Sequence, residues 1–139
     1  MAAVIKVKLD TARLDQIAKD LDKNRDQVLR LLAFDVEGGA KMFAPVDTGA
    51  LMNSIYTVAK DYDGYSQAAA AAREKNPKVN LVRLPDPAND YTAHIGPCVE
   101  YGIYQEFGTH KMAAHPFMAP AVEKTLNKFS NGKTWEKLV

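Results

Sequence analysis

The chain has 139 residues with a single cysteine, is 47% hydrophobic and 25% charged, and carries a formal net charge of +1 at pH 7. This length and composition fit one globular domain that buries its core without a disulfide or a CxxC zinc site. The balanced charge offers no electrostatic case for a dedicated nucleic-acid binder, and no run approaches the about 20 apolar residues of a membrane-spanning helix.

The chain begins with alternating apolar and charged residues from Val4 to Leu9, which predicts a short half-buried strand at a sheet edge guarded by lysines. Asp10 and Thr11 are good helix N-caps. The residues that follow at helical spacing are Leu14, Ile17, Ala18 and Leu21. We therefore expect an edge strand followed by an amphipathic helix.

A long amphipathic helix is predicted from about Arg25 to Ala44, with Asn24 as a candidate N-cap. Its main apolar positions are Val28, Leu31, Leu32, Val36, Ala40 and Phe43. Asp35 interrupts this apolar face. The pair Gly38-Gly39 lies inside the helix, where each glycine costs about 1 kcal/mol relative to alanine. We therefore expect a close approach by another backbone, from within the fold or from a neighbouring subunit.

The stretch FAPVDTGALMNSI predicts a tight reversal of the chain after this helix, which we call the corner. Pro45 ends the helix because its ring clashes with the preceding turn. Asp47 or Thr48 is expected to accept hydrogen bonds from the free amides of a short helical turn, Ala50 to Ser54, while Gly49 supplies backbone freedom where the chain reverses.

Two strands with a long excursion between them are predicted next. Ile55 to Tyr62 is rich in β-branched and aromatic residues, and Tyr91 to Gly96 alternates in polarity, which favours an antiparallel pair. Ser66 to Asp90 contains five consecutive alanines and little to bury, so we expect a long hairpin arm or a flexible loop, in which 79–84 is a candidate extra strand. We expect one domain over 1–139, with 66–90 as an inserted arm.

The last part of the chain predicts two more helices. Glu100 to Phe107 has helical spacing and is followed by Gly108 as an αL cap. Thr109 to His115 is expected to be a loop, and Pro116 opens a final helix that ends at Asn131-Gly132, leaving 132–139 as a tail. The pattern predicts an α+β fold, in which a small antiparallel sheet packs against the long helix and the C-terminal helix.

Residue types found in catalytic and metal sites occur without the spacing that such sites need. His94, His110 and His115 with Glu106 fit no compact metal site. The same is true of Ser54, His94 and Asp47 as a hydrolase triad, since no GxSxG elbow frames the serine. The DTG sequence at Asp47 resembles that of aspartic proteases, but two such loops are needed to share a proton. We expect these residues to cap turns or to lie at the surface.

The excursion has a positive character. Its basic residues are Arg73, Lys75, Lys78 and Arg83, offset in part by Glu74, Asp86 and Asp90. A solvated face is the simplest interpretation of such a group. The alternative is a contact with DNA phosphates or with an acidic partner.

Three ordered motifs stand out: the corner APVDTGALMNSI, the tyrosine-rich run YGIYQEFGT, and HPFMAPA. In this order they resemble the small neck proteins of long-tailed bacteriophages, described as head–tail joining or tail-completion proteins. The resemblance extends over roughly residues 26 to 128 apart from the alanine-rich excursion. The residues that carry it are Pro45, Asp47, Thr48, Gly49, Leu51, Ser54, Tyr101, Tyr104, Glu106, Phe107, Gly108, Thr109, Pro116, Phe117 and Pro120, followed by Ala121.

The resemblance implies a structural virion protein, without catalytic residues, cofactor or metal. Copies would form a ring, in a six- or twelve-fold environment, at the neck or tail top. The expected partners are a portal-side connector or head-closure protein on one side and a tail terminator or tail tube protein on the other. Genomic DNA would pass through the lumen without sequence-specific binding, and no membrane would be contacted. The protein would assemble in the host cytoplasm and end in the virion.

Within such a ring, Glu106 is expected to pair with a donor across a joint, and Pro116 with Phe117 to set how the last helix departs. The excursion and the tail after Gly132 are candidates for contacts between subunits. The nearest alternative is a tail terminator or head-closure ring. A distant one is a small metal-dependent or proteolytic enzyme built around Asp47 and the histidines.

Overall fold

The structure, a computed structural model, describes residues 4–10, 25–47, 49–90 and 92–129. It is an α+β fold with a small antiparallel sheet, as expected, and the sheet has four strands in the order β1-β4-β2-β3. The strands are β1 (Val7–Asp10), β2 (Ile55–Ala59), β3 (Tyr62–Asp63) and β4 (Thr92–Pro97). The helices are α1 (Arg25–Phe43), α2 (Ala50–Ser54), α3 (Tyr65–Lys75), α4 (Gly102–Phe107) and α5 (Met118–Phe129).

The sheet is centred on β2 and β4, every residue of which is buried. Thr57 and Val7 both lie opposite Ile95, on either side of β4. Gly96 allows the segment before β1 to come close, since a Cβ on Gly96 would collide with the carbonyl oxygen of Ile5. The predicted pairing of the two central strands is confirmed.

The long helix α1 lies across the sheet and packs against α5. Thr57 of β2 donates a hydrogen bond to Glu37 of α1 over 3.2 Å. A Cβ added to Gly39 would lie 3.3 Å from the Cβ of Ala121, so this glycine lets α5 approach closely from within the fold. Gly38 has nothing within 4 Å of such a Cβ, so the expected close approach is confirmed for Gly39 alone.

Asp35, which breaks the apolar face of α1, joins that helix to α5. Its carboxylate accepts hydrogen bonds from Thr125 over 2.6 Å and from Lys128 over 2.9 Å. Partial burial acts to raise the pKa of Asp35, but the two hydrogen bonds and the lysine charges outweigh it and lower the pKa. The polar interruption in the stripe is therefore a link between two helices.

The strand expected over Ile55 to Tyr62 is two strands joined by a tight turn. β2 ends at Ala59, and Asp61 takes a φ of 57°, a left-handed conformation that aspartate adopts more easily than most residues. The chain then returns as β3, whose Tyr62 lies opposite Ala59. The sequence did not predict this hairpin, because a turn that depends on a positive φ at a residue other than glycine has no clear sequence pattern.

The excursion between β3 and β4 is a packed helix followed by an extended segment, which differs from the arm or loop that we expected. Ala68 and Ala72 of α3 are buried, because their small side chains let the helix lie close to α2 and β2. The extended segment is anchored where the buried Tyr56 hydroxyl accepts a hydrogen bond from the amide of Leu84 over 2.7 Å. The candidate strand at 79–84 is a single bridge, Leu81 opposite Val99.

The C-terminal helices begin later than expected. α4 starts at Gly102 and α5 at Met118, each two residues after its predicted start. Gly108 has a φ of 72° and a ψ of 179°, so it lies outside the αL region, in a positive-φ region that is almost restricted to glycine. The predictions for the helix around Leu14 to Leu21, for Asn24, Thr48 and Tyr91, for Asn131-Gly132 and for the tail lie outside the described residues. Within the described ranges no helix is long and apolar enough to span a bilayer.

Candidate functional site

The three sequence motifs meet at one end of the sheet, where β2 begins and β4 ends. Ile55 lies opposite Pro97 at this end, with α2 directly before β2 and α4 shortly after β4. The start of α5 reaches the same place because it packs on the C-terminal half of α1. We call this surface, formed by 42–47, 49–54, 101–109 and 116–121, the motif end.

The first motif forms a corner around Gly49 and α2. Gly49 is the N-cap of α2 with a φ of 88°, in the left-handed region that favours glycine. Gly49 has no side chain that could cap the helix, Asp47 is exposed, and Thr48 lies outside the described residues, so the capping role expected of Asp47 or Thr48 stays a prediction. Asn53 holds the turn, since its side-chain amide donates to the carbonyl of Gly49 over 2.7 Å.

Buried side chains of the same motif stabilise the C-terminal end of α2. The hydroxyl of Ser54 donates to the carbonyl of Leu51 over 2.7 Å, and both residues are buried. The carbonyl of Ser54 in turn accepts the amide of Cys98 over 3.0 Å, which joins the corner to the chain after β4. Pro45 is half-buried where α1 has ended. This part of the motif is built into the fold.

The second motif contacts the corner through Tyr101. Burial raises the pKa of Tyr101, the negative charge of Asp47 raises it further, and a hydrogen bond between the tyrosine and the backbone of Leu51 lowers it. Gly102 follows, and a Cβ there would lie only 2.6 Å from the Cγ of Pro97. Tyr101 and Gly102 therefore allow the start of α4 to pack closely against α2 and the end of β4.

Glu106 joins the second motif to the third. Its buried carboxylate accepts hydrogen bonds from the backbone amides of Phe117, Met118 and Ala119, over 2.8, 2.9 and 3.0 Å. These amides lie at the start of α5, where no carbonyl of the helix reaches them and where the helix dipole favours a negative charge. The expectation of a donor across a joint between subunits is therefore wrong, because the donors belong to the same chain.

The loop after α4 folds back on that helix. A Cβ on Gly108 would lie 2.7 Å from the amide nitrogen of Ala114, and its φ of 72° also favours glycine. Thr109 and Met112 form a small bridge. The amide of His115 donates to the carbonyl of Gln105 over 2.7 Å, so Pro116 follows a fixed segment. The loop and α4 thus form one rigid unit.

Large apolar side chains of the motif end remain exposed to solvent. Met42 is 73% exposed, Val46 66%, Phe107 70%, and Tyr104 51%. Phe117, in contrast, is fully buried and anchors α5. Pro116 is exposed and Pro120 is half-buried. Exposed apolar residues gathered at one place commonly mark a surface that binds another protein.

The residues considered for catalysis or metal binding have structural contacts. His94 is buried, and its Nδ1 lies 2.6 Å from the carbonyl oxygen of Pro85, which can only accept, so the nitrogen carries the proton. Burial raises the pKa of the Cys98 thiol to about 11, which keeps it uncharged. Among the residues that the structure describes, no group of three or more His, Cys, Asp and Glu side chains is placed to hold a metal ion.

The basic residues of the excursion separate into two groups. Arg83 forms an ion pair with Asp63 and lies 5.0 Å from the centre of the Tyr65 ring. Arg73, Lys75 and Lys78 are exposed and form no ion pair with any residue that the structure describes. They lie at the end of α3 and just beyond it, and Lys75 contacts the motif end, since its Cδ lies 3.8 Å from the position of a Cβ on Gly49.

A comparison with family models identifies a bacteriophage family. The family described as "Bacteriophage HK97-gp10, putative tail-component" matches residues 11–108. The matched range contains the corner motif and the tyrosine-rich run up to Gly108, while the third motif lies beyond it. No curated protein and no solved structure matched the chain.

Proposed function

The chain belongs to the HK97-gp10-like family of bacteriophage tail components, and from that premise we propose that it is a structural protein of the virion neck. Its copies form a ring that joins the DNA-filled head to the tail. The resemblance of its three motifs to head–tail joining and tail-completion proteins supports this finer assignment.

The observation that carries the proposal is the construction of the motif end. Its three motifs are joined to one another by internal hydrogen bonds and close backbone contacts, of which the Glu106 carboxylate makes three. The same surface exposes large apolar residues such as Met42 and Phe107. A rigid surface with exposed apolar side chains suits a subunit that repeats one contact around a ring.

The role that we propose involves no catalysis. The side chains that suggested chemistry make contacts that support the fold: Ser54 bonds to the backbone of α2, His94 to Pro85, and Glu106 to the start of α5. These contacts account for the burial of all three residues.

Two sets of partners follow from a neck position. A portal-side connector or head-closure protein would contact one side of the ring, and a tail terminator or tail tube protein the other. Genomic DNA would pass through the lumen without sequence-specific contacts. The protein would assemble in the host cytoplasm and remain in the virion.

Electron micrographs of particles made without this protein test the proposal. In a phage whose gene for this chain carries an early stop codon, we expect filled heads and finished tails that lie unjoined. Heads that have lost their DNA would instead identify a closure ring, and tails of uncontrolled length a terminator. Normal joined particles would contradict all of these roles.

A matched pair of variants then tests the motif end itself. Supplying Phe107→Ser to the same phage should leave heads and tails unjoined, since Phe107 is 70% exposed and contributes little to the fold. Leu126→Ser is the control, because Leu126 is 62% exposed but lies outside the motif end. Equal particle yields with the two variants would argue against a binding role for the motif end.

A further inference from the structure

The protein has a second distinctive surface, at the opposite end of α1 from the motif end. α1 contains 19 residues and is therefore about 28 Å long. Near its start, Lys60 forms an ion pair with Asp26 over 3.5 Å, and Arg30 donates to the carbonyl of Lys60 over 2.8 Å. These contacts place the turn between β2 and β3 beside the start of α1.

A cleft opens at this place between the β2–β3 hairpin and the segment before β4. It is formed by 58–63 and 86–90, and we call it the cleft end. Val58, Tyr62 and Pro87 contribute apolar lining. The acidic residues around it are Asp61, Asp63, Asp86 and Asp90.

The charge of the cleft is only partly compensated. Asp63 pairs with Arg83, and Asp90 lies 3.7 Å from the amino group of Lys60. Asp61 and Asp86 form no ion pair with the residues that the structure describes. The cleft therefore has an apolar lining and a surplus of negative charge at its edge.

The motif end carries the opposite charge beside its apolar residues. α3 ends there, since the Cδ of Lys75 lies 3.8 Å from the position of a Cβ on Gly49. Arg73, Lys75 and Lys78 have no ionic partner in the described part of the chain. The acidic residues exposed near them are Glu74 and Asp47, so the basic residues remain in excess. One end of the protein is thus apolar and basic, and the other is apolar and acidic.

We propose that the motif end of one copy docks on the cleft end of the next copy. This inference rests on the proposed ring and names the contact that builds it. The two surfaces differ and lie at opposite ends of α1, so the contact is head-to-tail, the arrangement that closes into a cyclic oligomer. Complementary charges set the orientation, and apolar side chains supply the buried area.

A second copy accounts for more of these features than DNA does. DNA phosphates would satisfy Arg73, Lys75 and Lys78, but they would leave the acidic cleft without a partner and the apolar residues in water. A neighbouring copy satisfies both surfaces at once. The same geometry gives each copy one contact on either side.

Two charge-reversal variants test the contact. Arg73→Glu with Lys75→Glu makes the motif end acidic, and Asp86→Lys with Asp90→Lys makes the cleft end basic. Each variant alone places like charges against each other. In an equal mixture every contact again joins opposite charges, because the two variants alternate around the ring. A head-to-tail contact therefore predicts assembly of the mixture and not of either variant alone.

The control is Lys6→Glu with Lys8→Glu. Both lysines are exposed and belong to β1 or the residues before it, and their reversal changes the net charge as much as reversal at the motif end. Sedimentation of the purified proteins at low salt should show at least about a tenfold weaker self-association for each test variant. The control and the mixture should match the wild type.

Complementation of a phage that lacks the gene gives the second readout. Neither test variant alone should restore plaques, whereas expressing both together should restore them to within about threefold of the control. The proposal is overturned if either variant alone assembles like the control, or if the mixture fails in both assays. It is also overturned if only DNA binding changes. A stop-codon phage that makes joined particles would instead refute the neck role.

Discussion

The motif end and the cleft end are stabilised by different kinds of contact. At the motif end, a buried carboxylate binds three backbone amides and Gly108 lies against the backbone of Ala114. At the cleft end, exposed ion pairs of Lys60 hold the hairpin to its neighbours. Buried hydrogen bonds and close backbone contacts allow one geometry, whereas exposed ion pairs contribute little stability. Rigidity is therefore concentrated where the motifs lie.

The largest effect is expected at Gly108. Gly108→Ala places a Cβ 2.7 Å from the amide nitrogen of Ala114 and forces alanine into a conformation that favours glycine. We expect a loss of about 3 kcal/mol or more in the free energy of unfolding, measured with urea. Gly38→Ala is the control in open space within α1, and it should stabilise the protein by roughly 0.5–1 kcal/mol. Equal values for the two variants would contradict the close packing at Gly108.

Glu106 is expected to give the next largest effect. Glu106→Ala leaves three amides at the start of α5 without an acceptor, which should cost about 2–3 kcal/mol. Glu100→Ala, on the same segment but only half-buried, should change stability by less than about 0.5 kcal/mol. Urea unfolding of both variants measures the difference. A negligible loss for Glu106→Ala would show that the cap contributes nothing to the motif end.

Asp35 is expected to give the third largest effect, because its hydrogen bonds join α1 to α5. Asp35→Asn weakens the hydrogen bonds from Thr125 and Lys128, which should cost about 1–2 kcal/mol at pH 7. Because the folded state lowers the pKa of Asp35 below its ordinary 3.8, the ionised carboxylate stabilises the protein above that pH. This contribution is lost as the pH falls through the lowered pKa. The gap between wild type and variant in urea unfolding should therefore shrink in acid, and a constant gap would contradict the link.

A smaller and opposite effect is expected in the turn of the cleft end. Asp61 has a φ of 57°, so Asp61→Gly removes left-handed strain and should stabilise the hairpin by about 0.5 kcal/mol. Thermal unfolding followed by circular dichroism measures the shift. A clear loss of stability would mean that the Asp61 side chain has a structural role in this turn.

The smallest effect is expected for Lys60→Ala. The pKa of Lys60 is raised first by the charge of Asp26 and then by that of Asp90, but the amino group is exposed and salt screens these pairs. We expect a midpoint of urea unfolding that matches the wild type at physiological salt. A large loss would place part of the rigid framework at the cleft end and would remove the contrast between the two ends.

Local patterns predicted much of the fold because they depend on nearby residues. The helix from Arg25 was visible in its 3.6-residue period, the pairing of β2 and β4 in their composition, and the turn after Pro45 in its proline and glycine. Each of these signals acts within a few residues. The chain order of these elements followed from them, whereas β3 and α3 were not predicted.

The features that could not be predicted depend on contacts between distant residues. Glu106 binds amides more than ten positions away, and no spacing rule connects a glutamate to a helix that starts in another motif. The alanine run forms a packed helix because α2 and β2 accept its small side chains, a tertiary effect that propensity does not show. Residue type favoured Asp47 or Thr48 as the cap at the start of α2, but it did not indicate the hydrogen bond from the Asn53 side chain to the carbonyl of Gly49.

A reconstruction of the neck from electron cryomicroscopy images of the intact particle would show whether this chain forms a ring through contacts between the motif end and the cleft end. We expect a ring of this chain between head and tail, in which Phe107 and Lys75 of each copy lie against the acidic cleft around Asp86 of the next. This arrangement would be contradicted by a map in which the chain is absent from the joint, or in which the motif ends face solvent while other surfaces hold the ring together.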